Sequence, residues 1–187
     1  MSSRKFHPAW YGIAAVIVAG GLLGAGMILW LRSARGFSCM AQPTAIEKSM
    51  ATAMRLMAMP ARARTRINPY AASVTSKDLR LASEHFAGHC AVCHNNNGDA
   101  QTDFGKGLYP HPPDLRKSAT QKLTDGQLYY IIRNGIRMSG MPAWSMDTPR
   151  ETWELVNFIR HLPKLTPEQL ARMKRYDPKT KYKEPIM

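Results

Sequence analysis

Two cysteines separated by two residues and followed directly by a histidine constrain this chain more than any other feature. The motif, Cys90-Ala91-Val92-Cys93-His94, is the attachment signature of c-type haem. Each thiol adds to one vinyl group of the porphyrin, so the two sulfurs must lie about one helical turn apart. The next residue then lies beneath the iron, where an imidazole nitrogen can bind it. The sequence therefore predicts one covalently attached haem c, held by Cys90 and Cys93 and ligated by His94.

The same cysteine pair is also compatible with half of a zinc site or with a dithiol redox centre. A zinc site needs a second pair of ligands at similar spacing, and the only other cysteine is the distant Cys39. A thioredoxin-like pair would lie in a βαβ pattern, and no alternating strand pattern occurs in this sequence. Haem attachment is the interpretation we favour.

A long apolar segment near the start of the 187-residue chain predicts a membrane anchor. Residues 10–31 carry no charge and have aromatic side chains near both ends, where such rings favour the headgroup region. As a helix they would span about 33 Å, enough to cross a bilayer. A cleaved signal peptide is the alternative. Its apolar core would be shorter and would need a small-residue cleavage site, for which Cys39-Met40-Ala41 is a poor candidate.

The net charge of +13 is distributed unevenly along the chain. Residues 1–75 carry 9 basic and 1 acidic side chains, residues 76–163 carry 10 and 9, and residues 164–187 carry 7 and 3. The haem-bearing region is thus almost neutral. The basic ends would be attracted to anionic lipid or to an acidic protein subunit. Nucleic acid would need a basic face on a binding fold, so we expect no nucleic-acid partner.

Capping motifs and apolar spacing predict helices throughout the remaining chain. Threonines at 75, 124, 148 and 166 are each followed three residues later by an acidic or glutamine side chain, which is typical of a helix N-terminus. Residues 44–59 also read as a helix, with one apolar face formed by Ile46, Met50, Met54 and Met57. That face could cover its own domain, pack on a partner or lie on a membrane. The arginine-rich residues that follow, 62–66, read as an extended linker.

The loops between helices contain the candidates for a second iron ligand. Methionine is the usual soft partner of histidine, and the candidates are Met138, Met141 and Met146. Only Met141 lies between a glycine and a proline, which respectively allow close approach to a ring and stiffen the loop. Any of the 12 methionines could instead fill the core.

The order of these motifs resembles the class I cytochrome c family. The Cys-x-x-Cys-His motif is followed by Pro113-Asp114-Leu115, then by a Gly-Met-Pro-x-Trp motif around Met141, then by an apolar closing helix. The stretches "DGQLYYIIRNGIRMSGMPAW" and "LVNFIRHLPKLTPEQL" resemble its membrane-tethered, single-haem bacterial branch. The resemblance covers roughly residues 76–163. It implies an all-α, class I cytochrome c fold with one N-terminal transmembrane helix.

The resemblance also assigns roles to individual residues. It implies thioether bonds at Cys90 and Cys93, with His94 as proximal and Met141 as distal iron ligand. It further implies that the Pro113 carbonyl accepts a hydrogen bond from the far nitrogen of the His94 ring, which fixes the tautomer and tunes the iron. Leu115 would line the haem.

This chain departs from the commonest family pattern in three ways, the first of which is an unusually amide-rich loop, Asn95-Asn96-Asn97. His111, in a proline run, is an extra imidazole that could compete as a ligand, although surface exposure is the simpler interpretation. Cys39 is a single thiol after the apolar segment, and we expect it to be buried or unmodified.

The flanking charges and the haem motif favour opposite membrane orientations. Lysine and arginine are enriched on the cytoplasmic side, and slightly more of them follow residues 10–31 than precede them. In the family that this chain resembles, however, haem is attached on the outer face of the energy-transducing membrane. We therefore expect a single-pass protein of a bacterial inner membrane, with its haem domain in the periplasm.

The chain is accordingly expected to have five regions: a cytoplasmic N-terminus (1–9), a transmembrane anchor (10–31), a juxtamembrane helix and basic linker (32–75), a haem domain (76–163) and a basic tail (164–187). We expect an electron carrier of a respiratory or photosynthetic chain, not an enzyme. Its partners would be a membrane redox complex or other electron-transfer proteins, with no small-molecule substrate. A fixed subunit is slightly favoured over a mobile shuttle. The alternatives are a peroxidase-like haem enzyme and a gas or redox sensor with an open or labile sixth site.

Overall fold

The computed structural model describes residues 8–33 and 38–178. Most of the predicted cytoplasmic N-terminus and the end of the predicted basic tail lie outside these residues. The chain divides into two compact units, residues 1–41 and 42–187. The described residues contain ten α-helices and no strand: α1 (Pro8–Leu31), α2 (Ala45–Ala58), α3 (Ala61–Thr65), α4 (Ser76–His89), α5 (Ala91–His94), α6 (Asp103–Lys106), α7 (Ser118–Gln121), α8 (Asp125–Asn134), α9 (Pro149–His161) and α10 (Pro167–Met173). The all-helical prediction is confirmed.

The first unit is built on α1, a single apolar helix. Within it, Trp10–Leu31 is long and apolar enough to cross a membrane. A signal sequence near an N-terminus can share this length and composition, so the membrane anchor stays a prediction.

The core of the second unit lies where α4, α8 and α9 pack together. Phe86 of α4 and Phe158 of α9 are both fully buried, with ring centroids 5.2 Å apart. Tyr129 of α8 contacts Trp153 of α9 at 4.3 Å between centroids. Side chains of this size bury the largest apolar areas, so these pairs hold the three helices together.

Each long helix of this unit begins at a threonine cap. The predicted capping boxes are present at Thr75, Thr124, Thr148 and Thr166, and a fifth occurs at Thr44. In each box the threonine hydroxyl accepts from the backbone N–H three residues on, and that residue's side chain accepts from the threonine N–H. These bonds satisfy groups that the helix itself leaves unpaired, which is why the helix starts were predictable.

The segment expected to be an extended linker is instead helical and packed. The α3 helix lies so close to α8 that a Cβ at Gly126 would fall 2.3 Å from the Ala63 carbonyl oxygen. Ala63 is buried, and the buried Asn68 side chain donates to Asn157 of α9 at 2.7 Å. The prediction failed because it weighed the arginines and not the small residues between them, which allow this close approach.

The α2 helix is present as predicted but buries none of its residues. Its apolar face is exposed by 59–82 %, at Ile46, Met50, Met54 and Met57. The helix therefore does not cover its own domain with this face, and the alternatives of a partner or a membrane surface stay open.

Candidate haem-binding site

The Cys-x-x-Cys-His motif begins at the residue that joins α4 to α5 and continues through α5. Cys90 ends α4, where its N–H donates to the Phe86 carbonyl at 2.8 Å. The next turn continues the helical path, because the His94 N–H donates to the Cys90 carbonyl at 3.0 Å. Cys90 and Cys93 consequently lie one helical turn apart, which is the spacing that two thioether bonds to one porphyrin require.

The Cys90 thiol lacks the lowered pKa that is typical of a reactive dithiol pair. The side chain is half-buried, and burial, followed by the charges of Asp147 and Cys93, raises the pKa of Cys90 to about 12. Reactive cysteines have lowered pKa values, so this thiol stays protonated at neutral pH. Among the described residues, moreover, no group of three or more His, Cys, Asp or Glu side chains could hold a metal ion. Neither the dithiol nor the zinc alternative gains support.

The His94 ring has the environment that an iron ligand needs. Burial lowers the pKa of His94 below its ordinary value, and an interaction with the Pro113 backbone carbonyl opposes that shift. The Nδ1 atom is fully buried and makes no hydrogen bond of full geometry in the described ranges of the chain. In a neutral imidazole, a hydrogen bond from one ring nitrogen to a carbonyl leaves the other nitrogen with a lone pair that can bind a metal.

Residues 90–115, which we call the proximal segment, enclose this side of the site tightly. The Ala100 N–H donates to the His94 carbonyl at 2.9 Å, and the Leu115 N–H donates to the Gly98 carbonyl at 2.8 Å. Gly98 has a positive φ of 78°, which glycine adopts without strain. At Gly105, a Cβ would fall 2.7 Å from the Cys93 carbonyl oxygen. Leu115 itself is buried in the core cluster.

Residues 135–147, which we call the distal segment, contain the predicted second ligand. Met138 and Met146 are 88 % and 86 % exposed, whereas Met141 is half-buried. The loop is closed by the Ile136 N–H, which donates to the Met141 carbonyl at 3.2 Å. A Cβ at Gly135 would fall 2.7 Å from that same carbonyl oxygen. Of the three candidates, only Met141 is partly covered by protein, and its role as an iron ligand stays a prediction.

One group of the site was missed by the sequence analysis. The Asp147 carboxylate is only 10 % exposed, and its Oδ2 faces His85 Nε2 at 3.7 Å without a hydrogen bond among the described residues. Its charge acts on the Cys90 thiol. Nothing in the sequence around Asp147 signals a buried acid, because its burial depends on the packing of the distal segment against α4.

His111 is half-buried, not exposed as the simpler interpretation expected. Its Nε2 atom is buried and has no hydrogen-bond partner in the described ranges. Cys39, expected to be buried or unmodified, is an exposed free thiol. His111 as a competing ligand therefore stays an open alternative. Of the two alternatives expected for Cys39, burial is wrong, whereas an unmodified thiol stays a prediction.

The residues present fit a covalently held haem, because within the described residues His94 has a buried, unpartnered Nδ1 and interacts with the Pro113 carbonyl, and both cysteines lie on the same helical turn. The sequence model of a family described as cytochrome c oxidase, cbb3-type, subunit III, matches residues 77–159. This match includes every residue predicted for the site. A search of curated proteins found no match to this chain.

Proposed function

We propose a specific role for this chain, whose residues 77–159 form a class I c-type cytochrome domain and which is therefore an electron-transfer haem protein. In this role it is a membrane-tethered, single-haem carrier that passes one electron at a time between redox partners at the periplasmic face. The observation that carries this proposal is the Cys90–His94 turn, with its histidine buried against a backbone carbonyl.

The proposed site uses six residues of the matched domain. Cys90 and Cys93 form the thioether bonds, His94 and Met141 provide the axial ligands, Pro113 accepts from the His94 ring, and Leu115 supplies apolar lining. When bound, the haem supplies a one-electron iron couple whose potential His/Met ligation raises. The chain's own contribution is to orient the imidazole through Pro113, to exclude water with the α4–α8–α9 core and to set the local charge through Asp147.

The tether rests on α1 and on the chemistry of haem attachment. The helix is long and apolar enough to span a bilayer, and we place its N-terminal end in the cytoplasm and the cytochrome domain in the periplasm. Confinement to the membrane plane raises the effective concentration of the domain near membrane redox complexes. We propose such a complex, of a respiratory or photosynthetic chain, as the partner, with this chain as a subunit of it.

Haem attachment is tested on the purified full-length protein. We expect a pyridine haemochrome spectrum of haem c with one haem per chain, and a mass increase equal to one haem. Cys90→Ala should abolish double thioether attachment, whereas the matched variant Cys39→Ala, at an exposed cysteine, should leave it unchanged. A polypeptide without bound tetrapyrrole would overturn the proposal.

The carrier function is tested by the iron's spectrum and reactivity. A carrier with both axial positions filled should be low-spin when oxidised, with a weak long-wavelength sulfur-to-iron band, and should not react rapidly with carbon monoxide when reduced. A high-spin ferric spectrum would favour the peroxidase-like enzyme. Rapid, reversible carbon monoxide binding would favour the sensor.

Topology is tested at Cys39, which lies eight residues beyond α1 and is exposed. In intact spheroplasts, a membrane-impermeant maleimide should label it if the residues after α1 are periplasmic. Labelling only after permeabilisation would place the domain on the other side of the membrane.

A further inference from the structure

A surface cleft between α3, α8 and the distal segment is lined by basic and hydrogen-bonding side chains. Its volume is about 330 Å³, which lies within the range of small-ligand sites. We call it the arginine cleft. Its lining includes Arg62, Arg66, Tyr130, Arg133, Asn134 and Ser145.

The positive charge of the arginine cleft is not neutralised by the described protein groups. No carboxylate is among the described residues that line it, and within the region that the structure describes none of its three arginines forms an ion pair. Other arginines of the same unit do pair with acids: Arg80, Arg116, Arg150 and Arg160. Three guanidinium groups around one concavity repel each other, and a bound anion would relieve that repulsion.

Two of the three arginines are held in place by contacts that do not use up their donors. The Arg66 guanidinium lies over the Tyr129 ring, 4.0 Å from its centroid, and 5.4 Å from that of Trp153. Arg133 donates from Nη1 to the backbone carbonyl of Asp147. A guanidinium has five N–H donors, so each side chain is positioned while most of its donors stay available.

We propose that the arginine cleft binds a phosphate group, either as a free phosphate ion or in the headgroup of an acidic phospholipid. Planar guanidinium forks bind phosphate oxygens in pairs. Three forks lining one cleft match a tetrahedral group with several oxygens better than a carboxylate with two, and the Ser145 hydroxyl adds a further donor. The cleft lies on the side of α8 that faces α3. Phosphate binding there does not require the haem.

Free phosphate is tested on the purified full-length holoprotein in nonionic detergent. Isothermal titration with inorganic phosphate, against sodium chloride at equal ionic strength, should show saturable binding with Kd on the order of 1 mM. Arg62→Gln should weaken it about tenfold, because it removes one of three forks. Arg62 is exposed, so the variant should stay folded, which circular dichroism checks.

Arg64→Gln is the matched control. Arg64 is an exposed arginine on the same short helix, but it donates to the Leu56 carbonyl at 3.1 Å and does not line the cleft. Its loss should change the phosphate affinity less than about twofold. Equal weakening by the two variants, or no phosphate binding beyond that of chloride, would overturn the proposal.

The lipid source is tested by native mass spectrometry of the same chain with phosphatidylglycerol or phosphatidylcholine added. If the natural ligand is a headgroup, phosphatidylglycerol adducts should form preferentially and be lost in Arg62→Gln but not in Arg64→Gln. Adducts that are equal in both variants, together with phosphate binding sensitive to Arg62, would assign the cleft to free phosphate. A glutamate-rich peptide that displaces phosphate at lower concentration would overturn the proposal in favour of an acidic protein partner.

Discussion

The proximal and distal segments flank the same site, but they are built differently. The proximal segment is tied down along its length, by the Ala100 bond to the His94 carbonyl, the Leu115 bond to Gly98 and the contact of Gly105 with Cys93. The distal segment is tied to the rest of the domain at fewer points, at Gly135 and through the Trp144 bond to the Ile132 carbonyl, and seven of its thirteen residues are exposed. The two cysteines and His94 thus lie in a rigid segment. Met141, the predicted second ligand, lies in a loop whose other residues can be substituted with little effect on the core.

Removal of the distal methionine should give the largest functional effect. Met141→Ala should lower the potential by on the order of 0.2 V, a fraction of the roughly 0.8 V range that axial ligands set, while the haem stays attached through the proximal segment. The exposed Met138 provides the matched control, Met138→Ala, which should leave the potential unchanged. Redox titration of both variants measures the effect. An unaltered potential in Met141→Ala would refute the axial assignment.

The proximal and distal segments also differ in how much of the site could be predicted from the sequence. The cysteine and histidine roles were predicted from spacing alone, because a local motif on a helical turn determines them. Among the three loop methionines, Met141 is singled out by its glycine and proline neighbours, but its role as distal ligand rests mainly on the family resemblance. The α3 packing and the buried Asp147 could not be predicted, because they depend on contacts between residues far apart in the sequence, such as Ala63 with Gly126.

Replacing one glycine by alanine in each segment should show that the proximal segment loses more stability than the distal one. In Gly105→Ala, the new Cβ would meet the Cys93 carbonyl oxygen at 2.7 Å, and backbone cannot easily yield. We expect a loss of about 2 kcal/mol in the free energy of unfolding. In Gly140→Ala, the Cβ would meet only the end of the flexible Leu108 side chain, so the loss should stay below about 1 kcal/mol.

Denaturant unfolding of the two glycine variants measures this difference. Circular dichroism at low denaturant verifies that both fold. A larger loss in Gly140→Ala would show that the distal segment is the more constrained of the two.

Neutralising the buried acid of the distal segment should change the potential moderately. A negative charge near the iron favours its oxidised state, so Asp147→Asn should raise the potential by on the order of tens of millivolts. The control is Asp103→Asn, at an exposed acid of the proximal segment. Because water screens the charge of Asp103, its removal should change the potential less. Redox titrations at one pH and ionic strength compare the two. Equal shifts would mean that burial of Asp147 does not matter.

The smallest predicted effect is a selective loosening of the proximal segment in acid. Burial alone would raise the pKa of Asp99, but hydrogen bonds from the Gln101 amide and from the Asn95 and Asn97 side chains together outweigh it and lower that pKa. The Arg116 side chain lowers the pKa of Asp114. Because the folded pKa values lie below the unfolded ones, the carboxylates stabilise the fold at neutral pH, and this stabilisation declines as pH falls below about 4 through the folded pKa values.

Hydrogen exchange in acid measures this loosening. As pH falls through that window, after correction for the intrinsic exchange rate, protection should decrease first at the Gln101 and Arg116 amides, which donate to Asp99 and Asp114. The Trp144 amide, which donates to the Ile132 carbonyl at 3.0 Å, should keep its protection, because a backbone acceptor does not titrate. In Asp99→Asn the pH dependence at Gln101 should disappear while that at Arg116 remains. Simultaneous loss at all three amides would instead indicate global unfolding, and the two segments would then respond to acid as a single unit.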